Sequence, residues 1–267
     1  MNIFKNPNGF KFYFDWASRS YYGYEKGGST VPLQSVTRVI YDIFPEFDKD
    51  GEILKRTAAK RNMTEEALRK EWDENRRVSR EAGIKVHNLC ELGLKGELTA
   101  DELTGTDNVS LTVRNAKKVI DYIFNKCSEI EIEKTIGDYN AMIAGRVDMM
   151  FRSRKDGELW LCDWKTSKNI SKENTFNEFA NAPFNYIPAT NFWKFSLQLN
   201  MFEYILRAGG YVGKDERVNK CIIKVTKDGY ENIRVKDLDD EINDIIEKKV
   251  MTKVNHGIFS DINDEFQ

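Results

Sequence analysis

Cysteine is scarce in this 267-residue sequence, and its 4 cysteines lie far apart without any C-x-x-C pair. This spacing favours neither a structural zinc site nor a disulfide framework, so a reducing compartment is the simplest expectation. No apolar run approaches the roughly 18 residues needed to cross a bilayer, and residues 1–10 show no signal-peptide pattern. We therefore expect a cytoplasmic protein without membrane contact.

An excess of charge of one sign is also missing, since 41 Lys and Arg are balanced by 43 Asp and Glu. The formal charge of −2 does not indicate a nucleic-acid partner by itself, so any basic surface must be local. With 40% hydrophobic and 12% aromatic residues, the composition is typical of a soluble globular protein. Neither a repeat nor a Pro- or Ser-rich linker is present, which favours one domain.

The hydrophobic period changes several times along the chain. Aromatic residues between 10 and 24 predict a β-hairpin region, and helical spacing follows from the N-cap Ser35. Residues 51–96 are dominated by helix, with Thr64 as N-cap and a break or bend at Gly83. The later elements are predicted as helices over 110–127, 191–208 and 237–254, and strands around 130–132, 141–151, 159–166, 221–225 and 231–235.

The strands between 130 and 166 form a meander that carries two aspartates and a lysine. Because side chains alternate along a strand, Asp163 and Lys165 point to the same face. Antiparallel pairing across the hairpin at 154–157 brings Asp148 near Asp163. Two such carboxylates repel each other unless a divalent cation lies between them, and that cation can activate water for phosphodiester cleavage. Oxygen ligands of this kind favour Mg²⁺ or Mn²⁺ over Zn²⁺.

Lys165 would orient or deprotonate the attacking water and offset charge on the phosphoryl oxygens. The alternative is an ordinary salt bridge on a strand, because acid-x-Lys triplets are frequent in so charged a chain. Glu247-x-Lys249, in the predicted C-terminal helix, is such a triplet. The strand–hairpin–strand context and Asp148 are what favour catalysis over the salt bridge.

Two further residues could join this group. His87 could ligate the metal, and Glu91 lies one helical turn beyond it, where it could orient the imidazole or contact a second metal. Gln198 lies on an apolar helix, where its amide could reach a carboxylate, the lysine or a bound strand. Structural roles are the alternative for both His87 and Gln198.

In chain order, Gly83-x-x-x-His87, Gly145-x-x-Asp148, Asp163-Trp164-Lys165-Thr166 and Gln198 resemble the motifs of the PD-(D/E)XK nuclease superfamily, and of its RecB-like branch in particular. Upstream, residues 31–37 are similar to a segment of bacteriophage exonucleases and of the mitochondrial genome maintenance exonuclease. The resemblance implies an α/β fold with a central mixed β-sheet flanked by helices. We expect one nuclease domain over 1–267, with an N-terminal hairpin and helical elaboration (1–78), a PD-(D/E)XK core (79–236) and a C-terminal helix and tail (237–267).

By the same resemblance, Lys165 is the catalytic lysine, and Mg²⁺ or Mn²⁺ is held by a set of four groups. These ligands are His87, Asp148, Asp163 and the main-chain carbonyl of Trp164. Glu133 falls where many relatives carry an acidic residue.

Two positions depart from the family pattern. Phe202 stands where relatives carry a tyrosine, so Tyr204 supplies the nearest hydroxyl. Only Cys221 follows Gln198, so we expect no iron–sulfur cluster.

The resemblance implies a DNA exonuclease, plausibly phage-encoded and then active in the host cytoplasm, that takes single-stranded DNA or duplex ends. A structure-specific endonuclease on the same fold and an inactive nuclease-fold binding module are the alternatives. Cleavage polarity, DNA or RNA preference, metal count and oligomeric state stay open. Basic residues before His87 are candidate phosphate contacts, or else ordinary solvated helix faces with i,i+4 ion pairs: Lys55, Arg56, Lys60, Arg61, Arg76, Arg77, Arg80 and Lys85.

Overall fold

The computed structural model describes residues 2–25, 27–46, 51–174 and 177–264, so Lys26 of the predicted hairpin region and the last three residues of the predicted tail lie outside it. Within these ranges nine strands and seven helices form an α/β fold. Their bounds are β1 Ile3–Lys5, β2 Lys11–Asp15, β3 Ser20–Tyr24, β4 Thr30–Ser35, α1 Val36–Ile43, α2 Glu52–Arg61, α3 Glu65–Lys95, α4 Ala100–Thr104, α5 Asn108–Lys126, β5 Cys127–Asp138, β6 Ile143–Ser153, β7 Leu159–Lys165, α6 Asn191–Ala208, β8 Val218–Thr226, β9 Gly229–Arg234 and α7 Asp239–Asp264.

All nine strands belong to one mixed sheet. Its order is β1-β2-β3-β4-β6-β7-β8-β9, and β5 pairs with β6 outside that path. The pairs β4–β6 and β7–β8 are parallel, and the other pairs are antiparallel. The prediction of a central mixed sheet flanked by helices is therefore confirmed.

The N-terminal hairpin region is a four-stranded antiparallel meander. Cross-strand aromatic pairs hold its strands, as where Tyr13 stacks on Tyr22 with ring centroids 5.3 Å apart. Its last strand, β4, joins the main sheet through the register pair Gln34 and Ile143. The meander is thus continuous with the sheet that carries the predicted site.

Helices cover both faces of the main sheet. On one face α1, α6 and α7 bury a large apolar cluster against β6, β7 and β8. On the other face α3 and α5 pack against the same strands through a second cluster that includes Trp164. Strands that are buried on both faces are held in fixed positions, and the site residues on β6 and β7 share that rigidity. No helix in the described ranges is both long enough and apolar enough to cross a membrane.

Two helices differ from their predicted course. The predicted break at Gly83 is absent, because α3 runs on from Glu65 to Lys95. A Cβ at Gly83 would lie 3.3 Å from Thr166 Oγ1, so the missing side chain permits close packing of α3 on the end of β7. The C-terminal helix continues to Asp264, beyond the predicted end at residue 254.

Candidate metal centre

Three acidic residues lie side by side on three neighbouring strands. The β5–β6 register pairs Ile132 with Met149 on one side and Lys134 with Val147 on the other, which sets Glu133 opposite Asp148. The β6–β7 ladder ends at the pair Met149 and Cys162, so the next position sets Asp148 opposite Asp163. Like charges placed directly opposite each other destabilise a sheet, so this row needs a compensating charge.

The sheet is irregular at this row. Glu133 has φ of 51°, a left-handed conformation that is uncommon for a residue other than glycine. Neither Glu133 nor Asp163 forms a ladder pair with Asp148. The Asp148 side chain instead accepts a hydrogen bond from the Trp164 N–H, with Oδ2 2.9 Å from the nitrogen. The acidic row therefore lies where the β5–β6 ladder is interrupted at one position and the β6–β7 ladder ends.

His87 reaches the row from α3. Its Nε2 lies 2.8 Å from Asp148 Oδ2, and its Nδ1 lies 3.7 Å from Glu133 Oε1. The close approach of α3 at Gly83, one turn earlier, brings the imidazole to this position. The side chain of His87 keeps 33% of its surface exposed, so solvent and ligands have access to it.

Lys165 supplies a second positive group at the other end of the row. Its ammonium forms an ion pair with Asp163 Oδ2. The Lys165 Nζ also lies 4.6 Å from the centre of the Phe195 ring on α6. The Asp163 side chain is almost fully buried at 3% exposure, whereas Lys165 keeps 19%. The lysine therefore lies at the border between the buried carboxylate and solvent.

The two outer carboxyls of the row are hard to ionise. Burial, with the charge of Asp148, raises the pKa of Glu133 to about 7 against the opposing effect of Arg146. Burial and Asp148 likewise raise the pKa of Asp163 to about 7, although Lys165 and His87 act in the other direction. Three carboxylates so close together repel each other, and a divalent cation would relieve that repulsion.

The other three groups of the site are charged. Burial lowers the pKa of His87, but the hydrogen bond and charge of Asp148 outweigh it and raise this pKa to about 9. Burial opposes ionisation of Asp148, yet His87, Lys165 and the Trp164 N–H hold its pKa below the usual range. Burial also disfavours the Lys165 ammonium, but the charges of Asp163 and Asp148 raise its pKa. Without a metal, the imidazolium thus neutralises the central carboxylate.

The donor atoms at this site suit a divalent cation. One ligand atom from each of His87, Glu133 and Asp148 lies within 4.8 Å of the other two. This trio differs from the predicted ligand set, because Glu133 is present in it and Asp163 is not. Asp163 lies next to Asp148 and pairs with Lys165. Trp164 contacts the row through its N–H, which donates to Asp148.

The importance of Glu133 was underestimated from the sequence. Counting the register outward from the hairpin pair Asp138 and Ile143 identifies Glu133 as the neighbour of Asp148, and the register shift between Ser128 and Glu131 lies beyond this position. The count requires the turn at residues 139–142, which the sequence pattern did not identify. The left-handed backbone at Glu133 leaves no mark in the sequence.

Three predicted supporting residues have other neighbours. The carboxylate of Glu91 pairs with Lys95 instead of orienting His87. Gln198 is half-buried on α6, one turn from Phe195, and its amide forms no hydrogen bond within the described part of the chain. Burial, with the charge of Asp138, raises the pKa of Tyr204 to about 12. Because Asp138 pairs with Ile143 at the far end of β6, the Tyr204 hydroxyl lies away from the acidic row.

The predicted phosphate contacts fall into two groups. Lys55, Arg61 and Arg77 form ion pairs with acidic residues of α2 and α3. The remaining basic residues are exposed and have no ion-pair partner among the described residues: Arg56, Lys60, Arg76, Arg80 and Lys85. The paired group fits the alternative of solvated helix faces, and the second group stays available to a polyanion.

Comparison with known proteins adds no relative to this site. The sequence matches no protein-family model and no curated protein.

Proposed function

We propose that this chain is a divalent-metal-dependent nuclease that hydrolyses phosphodiester bonds of DNA from strand ends. The observation that carries the proposal is the acidic row of Glu133, Asp148 and Asp163, with His87 at one end and Lys165 at the other. The exonuclease mode rests on the resemblance of residues 31–37 to phage exonucleases. Such an enzyme would act in the cytoplasm, that of the host if a phage encodes it.

His87, Asp148 and Glu133 are the residues that would hold Mg²⁺ or Mn²⁺, with Asp163 as a further oxygen donor beside them. When bound, the cation would lower the pKa of a water molecule and offset phosphate charge. Metal ligands must be deprotonated, so binding would release the proton that His87 Nε2 shares with Asp148. The site therefore has its own counter-charge when the metal is absent.

Lys165 has the position and charge for stabilising a phosphoryl group. Its pKa is raised, so it holds its proton at neutral pH and acts as a cation rather than as a base. Contact with Asp163 and the Phe195 ring fixes the ammonium beside the acidic row. Lys165 would thus orient the attacking water and offset charge that develops on the phosphoryl oxygens.

A degradation assay with end-labelled DNA tests the proposal. We expect linear single-stranded or duplex oligonucleotides to be degraded with Mg²⁺ or Mn²⁺ and to survive with EDTA. Covalently closed circles should be spared, whereas cleaved circles would indicate the endonuclease alternative. Comparison of 5′- and 3′-labelled strands gives the polarity.

Two matched lysine variants distinguish a loss of catalysis from a loss of folding. Lys165 and Lys224 are register neighbours on β7 and β8, but Lys224 pairs with an exposed glutamate and not with the acidic row. Lys165→Ala should abolish metal-dependent cleavage, and Lys224→Ala should retain it, with both variants folded by circular dichroism. Undiminished cleavage by Lys165→Ala, or DNA binding without any cleavage by the wild type, would contradict the proposal.

A further inference from the structure

A small cleft adjoins the metal centre on the side of the N-terminal meander. Its volume is about 210 Å³, which is less than the 300–1,000 Å³ of a typical small-molecule site. The cleft therefore has room for one flat ring system rather than a whole ligand of drug size. Its lining residues are Asn2, Phe4, Phe14, Trp16, Tyr21, Glu133, Thr135 and Arg146.

Aromatic side chains form one wall of this cleft. Trp16, just after β2, keeps 69% of its surface exposed. Its ring meets Phe14 edge-on with centroids 4.9 Å apart, and Phe14 meets Tyr21 on β3 at 4.8 Å. A tryptophan so exposed contributes little to the core, but it presents a large flat surface to a ligand.

Arg146 connects the aromatic wall with the acidic row. Its guanidinium carbon lies 5.4 Å from the centre of the Trp16 ring. Its Nη1 lies 3.1 Å from Glu133 Oε2, on the carboxylate whose other oxygen faces His87. A positive charge is thus fixed between the flat aromatic surface and the candidate metal ligands. Planar guanidinium groups of this kind suit phosphate recognition.

We propose that this cleft binds the base of a nucleotide at a strand end, next to the phosphate that enters the metal centre. Trp16 and Phe14 would stack on the base, and Arg146 would pair with the adjoining phosphate. The inference rests on the proposed nuclease function, because it takes its substrate from it. Every base has a flat π-face, so such a cleft accepts a strand end without regard to sequence.

Two observations favour a nucleobase over an apolar side chain of a protein partner. The cleft shares Glu133 with the candidate metal ligands, so its occupant lies beside the site where the proposed substrate phosphate would bind. It also places a cation beside the aromatic surface, which suits a ligand that joins a flat ring to a negative charge. A purely apolar ligand would make no use of the Arg146 charge.

Binding without turnover tests the cleft. We would titrate the full chain, in EDTA, with short single strands that carry 2-aminopurine at the 3′ or the 5′ end, and follow the fluorescence of that base. Loss of one base–aromatic contact should weaken binding by roughly 5- to 150-fold. We expect that loss for Trp16→Ala at one of the two ends, and partial recovery for Trp16→Phe.

Tyr122→Ala is the matched control, because Tyr122 on α5 is 63% exposed and does not line the cleft. It should bind both strands as the wild type does. A strand with an abasic site at the bound end should bind Trp16→Ala and wild type equally. Equal affinity of Trp16→Ala and wild type for the intact strands, or no binding by the wild type, would overturn the inference.

The cleavage assay reports on the nuclease function separately. Base-dependent binding without any metal-dependent cleavage would support the cleft and reject the enzyme. Cleavage by Trp16→Ala with an unchanged KM would support the enzyme and reject the cleft.

Discussion

Replacing Glu133 by glutamine should stabilise the protein in the absence of metal ions. The pKa of Glu133 is raised from 4.5 to about 7 because the folded protein buries this carboxylate beside Asp148. A raised folded-state pKa favours the native state below pH 4.5, and that contribution is lost as the pH rises through about 7. Glutamine has the same shape and does not ionise, so the variant avoids the loss.

The size of the effect follows from the linkage between pKa and stability. A rise in the pKa of Glu133 from 4.5 to about 7 corresponds to roughly 3 kcal/mol of unfolding free energy, at about 1.36 kcal/mol per pKa unit. The side chain of Glu133 is only 18% exposed, so solvent screens little of this repulsion. For a chain of this length, roughly 3 kcal/mol corresponds to a rise in Tm of about 6 °C or more.

Thermal unfolding between pH 5 and 8.5 measures the effect, with EDTA in one series and Mn²⁺ or Mg²⁺ in the other. In EDTA, the Tm of Glu133→Gln should exceed the wild-type Tm by an amount that grows from pH 5 to about 7 and stays constant above it. In the metal series the wild type should gain stability from binding, whereas the variant, without one ligand, should gain less. At high pH, wild type and Glu133→Gln should therefore have opposite orders of stability in the EDTA and metal series.

Glu131→Gln is the control, because Glu131 lies on the same strand, is 48% exposed and pairs with Lys134 outside the acidic row. Its Tm should follow the wild type at every pH. If the difference between Glu133→Gln and wild type stays constant between pH 5 and 8.5, repulsion between buried carboxylates does not govern this site.

Three other substitutions test the fold and the DNA-binding surface. Gly145→Ala should cost about 1–3 kcal/mol in urea titrations, because the added Cβ would lie 2.6 Å from Phe202 Cε1. Lys220→Met should cost roughly 3 kcal/mol in the same assay, since the 3% exposed ammonium of Lys220 neutralises a buried carboxylate. Arg80→Ala should reduce the slope of log affinity for duplex DNA against log salt by about 0.9, whereas Arg77→Ala, an ion-paired residue, should leave it unchanged.

The helices α1 and α5 were predictable because each buries one stripe of regularly spaced apolar residues. α6 spans the predicted range Asn191–Ala208, although it is buried around most of its circumference. Of the predicted break or bend at Gly83, the break was wrong, because α3 is continuous there and packs closely against Thr166. The N-terminal region has four strands where a hairpin region was predicted. Strands as short as β1 are stabilised mainly by pairing with neighbouring strands, which a short sequence pattern does not show.

The candidate site was only partly predictable. Strand alternation and the hairpin place Asp148, Asp163 and Lys165 correctly near one another, because both depend on local spacing. Helical spacing predicted that Glu91 orients His87. Lys95 lies on the same helix face as Glu91, however, and forms an ion pair with its carboxylate. The position of Glu133 depends on the hairpin between β5 and β6, whose turn at residues 139–142 the sequence pattern did not identify.

The parallel pairing of β4 with β6 bears on how the chain can be divided. β4 covers the backbone of Ile143 and Ala144, and the Asn6 side chain donates a hydrogen bond of 2.7 Å to the Gly137 carbonyl. A fragment that starts at residue 79 would leave these peptide groups without partners. It would also expose an unpaired sheet edge that can pair with other chains and cause aggregation. We therefore expect a chain that lacks β1 to β4 to lose stability or to aggregate, because the N-terminal meander completes the main sheet.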